Sequence, residues 1–481
     1  MSPKAGARPH GQIRRSQLIT TFGPGAMLDL PNHSVLVGGL EDWSPGGEEI
    51  FEPRLIEKLT RLLSVPSLRL IAPPPDQEVP PPQTRTLTQT GIKVWQFPEW
   101  FITQEVTSTD QDSAFRSRML VHRSALTRGK FIDPDKKKRA VVPVRFVRAC
   151  RAGHIGDIDW YAFVHSGETN CRRRLWLDER GTSGDIAEIF VRCDCGAIRN
   201  LSEAVGFDTR ALGHCDGQRP WLGSYTREHC NEPNRLLIRT ASNAYFPQQM
   251  TVISLPDRRE NIRQAVDVTW DFMELVENIE DLRHERKRSK VKAALDGLTD
   301  EEVFAEIQAR RGVGGISDKS VKQAELETLV SSKEELGNDH PDGVFFARAL
   351  PRERWDKPWM RNFERVVLVH RLREVMALLG FTRFEAAAPD IEGELDIEVR
   401  RAALAREVSW LPAVENKGEG IFMQFKQEAI DAWIQRENIK TRGKELEAGF
   451  ERWRAEHHNS RREFPGLPYM MLHSFSHLLR L

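Results

Sequence analysis

Read by the spacing of its apolar residues, the chain changes texture several times. Up to about residue 140 the apolar positions come in short, interrupted runs, as in "TTFGPGAMLDLPNHSVLVGGLEDW". A Gly23-Pro24-Gly25 turn is expected there, followed by a short strand over Ser34–Val37. "LIAPPPDQEVPPPQ" is a proline-rich loop, because proline has no amide donor and a fixed φ. "GIKVWQFPEWFITQEV" predicts an aromatic strand broken at Pro98. "AVVPVRFVRAC" and "AEIFVRC" predict two more strands, separated by the glycine- and aspartate-rich "RAGHIGDIDWYAFVH".

From Asn261 to about Arg311 the spacing is helical and the helices are heavily charged. Thr299 and Glu302 form a capping box, and Gly312 supplies a C-terminal stop. In "NFERVVLVHRLREVMALLGF", Phe363, Val366, Leu372, Val375, Met376 and Leu379 stand at helical intervals before Gly380, so a helix is expected. "REVSWLPAVENKGEGIFMQF" predicts two strands around a turn at Asn416–Gly420, and "KQEAIDAWIQRENI" a further helix. "PYMMLHSFSHLLRL" predicts an apolar terminal helix with no following segment to cover it, so a missing C-terminal portion is expected.

These patterns give an α+β, multi-domain fold. Four regions are expected: strand-rich 1–140, a cysteine-rich metal-binding module over 141–255, a charged helical insert over 256–345, and an incomplete α/β region over 346–481. A length of 481 residues suits about three domains. Seventy basic residues balance 70 acidic ones, so any attraction to nucleic acid must come from a local patch. No run of 18 apolar residues occurs, and the N-terminus lacks the apolar core of a secretory signal. A cytoplasmic location follows, where closely spaced cysteines favour metal over disulfide.

All six cysteines fall within residues 141–255. Cys193, Cys195, Cys215 and Cys230 offer four thiols, and structural zinc is closed by four protein ligands in a tetrahedron. These four are the expected ligands of one structural zinc ion. Cys150, His154 and Cys171, with His165 as a completing residue, form a second possible group, and the cysteines can also be shared out differently. Motifs for chemistry are missing: there is no H-x-E with P-C-x-x-C, no H-E-x-x-H, no G-x-x-x-x-G-K-[ST] and no G-x-S-x-G. His473 and His477 share a helix face without a glutamate between them, which favours packing. The expected protein is therefore not an enzyme. Two basic runs, "RHERKRSKVK" and "DKKKR", are candidates for phosphate contact.

Several separated stretches resemble the DrmB-like family, the helicase-partner subunits of the DISARM anti-phage defence systems of bacteria. They are "RRSQLITTFGPGAMLDL", "VPVRFVRACRAGHIGDIDWYAFVH", "CDGQRPWLG", "IRTASNAYFP", "VISLP", "LREVMALLGFTRFE", "GEGIFMQF" and "LHSFSHLL", in that order. The resemblance implies a C-terminal domain of unknown function shared with some helicases, and a complex with a DrmA-like superfamily-two helicase that supplies the ATPase. It implies DNA binding by that pair, alongside methyltransferase and phospholipase-D-like subunits, and a zinc-stabilised cysteine-rich region. Two departures stand out. "FPEWFITQEV" lacks the cysteines usual after that element, and the chain ends where the shared C-terminal domain begins. A stand-alone zinc-dependent nucleic-acid-binding regulator and a metal-dependent hydrolase are the competing expectations.

Overall fold

A computed structural model describes residues 13–479 apart from 31–32, 45, 76–90, 107–115, 182, 207–209, 224, 256–261, 263–264, 311–320, 332–334, 338, 341–342, 356, 387–400 and 457–462. Gly312 and most of the proline-rich loop lie outside the described residues. The chain is a mixed α+β protein with a strand-rich N-terminal half and a helical C-terminal region. It forms two compact units, each assembled from segments distant in sequence. The first comprises residues 1–252, 320–322 and 374–416; the second comprises 253–319, 323–373 and 417–481.

In the first unit the short apolar runs become short strands. Met27–Leu30, His33–Val37 and Val94–Gln96 make a small antiparallel sheet. The break at Pro98 is present: the strand Val94–Gln96 stops, and Trp100–Thr103 starts a different sheet. That larger sheet has eight strands in the order Leu126–Thr127, Lys130–Ile132, Lys138–Pro143, Trp100–Thr103, Arg116–His122, Leu175–Glu179, Ile189–Cys193 and Ile198–Asn200. All of its pairings are antiparallel. Its inner face packs Ile102, Leu120, Leu175, Leu177, Ile189 and Val191 against Phe146, Trp160 and Phe163. A three-stranded sheet of Ile155–Gly156, Phe146–Ala149 and Arg235–Ile238 lies beside this core. A second core gathers Ile19, Leu36, Leu55, Leu59, Leu70 and Trp221 with Val375, Leu378, Phe381 and Leu411.

In the second unit, the charged segment folds into short helices, among them Ile279–Glu285, Ser289–Ala294 and Asp300–Arg310, around Met273, Leu282, Val291, Val303 and Ile307. The capping box is formed: the Thr299 amide donates to Glu302 at 3.1 Å, and the Glu302 amide donates to the Thr299 hydroxyl at 3.3 Å. The helices Gln427–Ile434, Glu437–Glu456 and Gly466–Leu478 follow.

Two expectations are corrected. "FERVVLVHRLREVMALLGFT" is not a helix but one strand, Phe363–Thr382. Opposite it, Phe346 pairs with Arg371 and Ala347 with Val369, so His370 is an extra residue and the alternation breaks there. Further on, Val375, Ala377, Leu378, Leu379 and Phe381 are all buried, so that stretch of the strand has no polar face. A bulge and two-sided burial together imitate a period near 3.6. Likewise Trp410–Phe425 is a single strand, without a turn at Asn416–Gly420.

Candidate metal centres

The turn from Cys150 to His154 joins the paired strands Phe146–Ala149 and Ile155–Gly156. The Gly153 amide donates to the Cys150 carbonyl at 3.0 Å, and the Cys150 amide to the His154 carbonyl at 3.1 Å, which folds both side chains to one side. Gly153 has φ +86°, and a Cβ there would lie 2.6 Å from the Ala402 Cβ, so only glycine closes this turn without strain. Cys215 and Cys230 come from two later loops, tied by the Cys215 amide to the Glu232 carbonyl at 2.8 Å and by the bridge from His214 to Pro233.

Cys150, His154, Cys215 and Cys230 converge, their ligand atoms all within 4.8 Å of one another. Cys150 Sγ is 3.4 Å from His154 Nδ1 and 4.0 Å from Cys230 Sγ. A tetrahedron with Zn–S bonds of about 2.3 Å has sulfur–sulfur edges of roughly 3.8 Å, so the set has the dimensions of a closed four-ligand site. None of the four is more than 8% exposed. On its far side, His154 Nε2 meets Glu228 at 2.7 Å, and Arg219 holds the other carboxylate oxygen of Glu228 at 3.0 Å. This leaves Nδ1 bare toward the thiols, the arrangement by which a carboxylate orients a metal-bound imidazole.

A second tetrad forms from His165, Cys171, Cys193 and Cys195. Cys193 is the last residue of the strand Ile189–Cys193, and the Gly196 amide turns back to its carbonyl at 2.9 Å. His165 ends the helix Trp160–Val164, and its Nδ1 donates to the Tyr161 carbonyl at 2.8 Å. Its Nε2 is thereby free to face Cys195 Sγ, 3.2 Å away. Cys171 Sγ is 3.6 Å from Cys193 Sγ. Cys193 is buried, His165 and Cys171 are half-buried, and Cys195 is exposed, so one tetrad is enclosed and the other opens to solvent.

The four thiols expected to share one ion are thus divided. Cys193 and Cys195 belong to one tetrad, Cys215 and Cys230 to the other. The second expected group is divided too, with Cys150 and His154 in the enclosed tetrad and Cys171 and His165 in the open one. Chain proximity misled here, because a loop of some twenty residues costs little more to close than one of ten. Neither Glu228 nor Arg219 carried a sequence signal.

The thiols are unevenly protonated. In the enclosed tetrad, Cys215 is lowered to about 4 by the Cys150 hydrogen bond, with His154 and the Gly217 amide helping. Cys150 is pushed upward, first by its hydrogen bond with Cys215 and then by burial. In the open tetrad, burial raises Cys193 to about 11, while the Ala197 amide and His165 lower Cys195 to about 6. All six cysteines are free thiols, so neither tetrad is a disulfide pair. Both are sets of donors that could hold a metal ion such as zinc.

Sequence comparison now adds to the geometry. Residues 14–246, which contain both tetrads, match a family described as a domain of unknown function, DUF8724. The chain is also 27% identical over 361 residues to the DISARM protein DrmB of Bacillus paralicheniformis. It is a distant homologue of DrmB. The match covers 72% of this chain and 62% of the DrmB relative, so the chain aligns with less than two thirds of that protein's length.

Arg383 supports the enclosed tetrad from behind. It is 1% exposed and donates to the carbonyls of Gly153 at 2.9 Å, Ala244 at 2.5 Å and Gly25 at 2.7 Å. The turn that carries Cys150 and His154 is thereby fastened to the stretches "TFGPGAM" and "TASNAYF". Elsewhere, His473 and His477 sit ring against ring at 4.7 Å on the exposed side of the last described helix. No helix among the described residues is long and apolar enough to cross a membrane.

Proposed function

We propose that the chain is a non-catalytic subunit of a DISARM-type anti-phage complex, partnering a DrmA-like superfamily-two helicase and helping it bind DNA. The observation that carries this reading is the alignment with DrmB over 361 residues. The two tetrads support it: each offers four protein donors, the number that closes a structural zinc site. Zinc bound at the enclosed tetrad would clamp loops around a region where the fold supplies little apolar glue. The enclosed tetrad's own buried cluster contains, besides thiols, only Ala152. Zinc in place of an apolar core is a common device in loop-rich modules. The unpaired thiols suit the reducing cytoplasm, where the complex would act.

The test is co-expression of the full chain with a DrmA-like helicase, followed by affinity purification and metal analysis. Co-purification with zinc present is expected. A chain that stays alone and binds a defined DNA sequence would instead be a stand-alone zinc-dependent regulator. Metal-dependent turnover of DNA by the purified chain would overturn the non-catalytic assignment.

A further inference from the structure

In both basic runs of the sequence the arginines are engaged by acids once folded and the lysines stay exposed; the second run differs in the strand pairing that brings further cations beside it. In "RHERKRSKVK" the arginines are neutralised locally: Arg283 meets Glu280 and Asp300, Arg286 meets Asp300, and Arg288 meets Glu285. In "DKKKR" only Arg139 is engaged, by Asp133 and Glu105. Lys136, Lys137 and Lys138 are exposed and have no acidic partner among the described residues.

The fold then adds cations from another stretch. Lys130–Ile132 pairs antiparallel with Lys138–Pro143, placing Lys130 opposite Ala140 and Ile132 opposite Lys138. Cross-strand partners and alternate residues share a sheet face, so Lys130, Ile132 and Lys138 stand on one side. Arg128 occupies the tight turn before Lys130, where it and Gly129 both have positive φ, +49° and +72°. Arg128 and Lys130 are likewise exposed and have no acidic partner among the described residues.

One of the two acidic groups within the patch is already employed. Asp133 Oδ1 accepts the Lys137 amide at 2.8 Å and its Oδ2 accepts from Arg139 at 2.9 Å. That clamp holds the Asp133–Lys136 turn, with Lys136 at φ +62°, and points successive lysines outward. Within the turn, Asp135 remains to oppose five cations. Ile132 is 40% exposed between them.

We propose that this meander, through Arg128, Lys130, Lys136, Lys137 and Lys138, is a docking surface for the phosphodiester backbone of DNA. The inference rests on the reading of the chain as a DNA-contacting subunit and assigns that contact to a place. An open array of point charges along three paired strands at the end of the eight-stranded sheet suits a regular polyanion. In a chain of zero net charge, such attraction must come from a local patch.

The experiment measures binding of fluorescent 30-nucleotide duplex and single-stranded DNA to the full chain across a salt series. Wild type is compared with Lys136→Ala/Lys137→Ala/Lys138→Ala and with the charge-matched control Lys287→Ala/Lys290→Ala/Lys292→Ala. The first triple variant should lose about tenfold or more in affinity and flatten the salt slope by roughly 2 to 3, with the control close to wild type. Equal losses in both variants, or no loss in the first, would overturn the proposal. So would binding to phosphatidylserine vesicles without binding to DNA. Helicase co-purification of the same variants separates the two readings: failure of wild type to co-purify sinks the subunit role, whereas the DNA titration alone decides the patch.

Discussion

His154 shows how much a single side chain depends on what stands behind it. Its Nδ1 is useful to a metal only because Glu228 occupies Nε2, and Glu228 in turn is steadied by Arg219. The division of the thiols makes a sharp prediction for metal content. Wild type should carry two equivalents of zinc, Cys150→Ser one, and Cys193→Ser one, as measured by elemental analysis of the purified proteins. Loss of both ions in either variant, or of neither, would contradict two independent tetrads. Arg383 is the second residue of this kind. Its guanidinium is the buried donor to three carbonyls, and it lies 4.8 Å from the Phe381 ring. Arg383→Met keeps the volume but orphans those acceptors, each worth about 1–3 kcal/mol when buried without a partner. A loss of about 3 kcal/mol or more in urea denaturation is expected, and a loss below about 1 kcal/mol would show that the carbonyls find other donors.

At the scale of elements, the enclosed tetrad is carried by a turn whose geometry was legible from "ACRAGHIGD", where a glycine stands between the two donors. The strand pairing of Arg148 with Gly156 and Ala149 with Ile155 then sets the spread of Cys150 and His154. Gly153→Ala meets both a positive φ and the Ala402 side chain. A destabilisation of about 1–3 kcal/mol is expected, with weaker zinc retention against a chelator, while Gly418→Ala, which meets nothing within 4 Å, should be near neutral. The long strand Phe363–Thr382 marks the opposite case. Its apolar spacing spelled a helix because the bulge at His370 and burial on both faces depend on the strands beside it. Local patterning has no access to neighbours that arrive from elsewhere in the chain.

For the molecule as a whole, pH acts through groups that the fold takes out of water. Asp157 follows the Cys150–His154 turn, and burial raises its carboxyl to about 7, although both oxygens accept the Glu99 amide at 3.1 Å. A carboxyl with a raised folded value stabilises most when protonated. Its contribution is fully present below the unfolded value of about 3.9 and is lost as pH rises through about 7. Asp157→Asn removes that dependence. The stability of wild type relative to Asp157→Asn should therefore fall between pH 5 and pH 8 in paired urea titrations, and a flat difference would show that the carboxyl ionises freely in the fold. Metal sites titrate in the other direction, since protons compete for thiolates and imidazoles, so the comparison with the variant isolates Asp157.

What the sequence determined by itself were the features set by local chemistry. These include the strand break at Pro98, the Thr299–Glu302 cap, the terminal helices, the glycine-shaped cysteine turns, and the resemblance to DrmB. Tertiary structure alone decided which thiols meet. Cys193 and Cys215 are 22 positions apart yet serve different tetrads, while Cys150 and Cys230, 80 apart, approach to 4.0 Å. The reason is physical. Turns and caps are closed by hydrogen bonds within a few residues, whereas ligand sets are chosen by strand pairing, and the entropy of closing a loop grows only with the logarithm of its length. The same pairing, not the run of lysines alone, brought Arg128 and Lys130 beside Lys138.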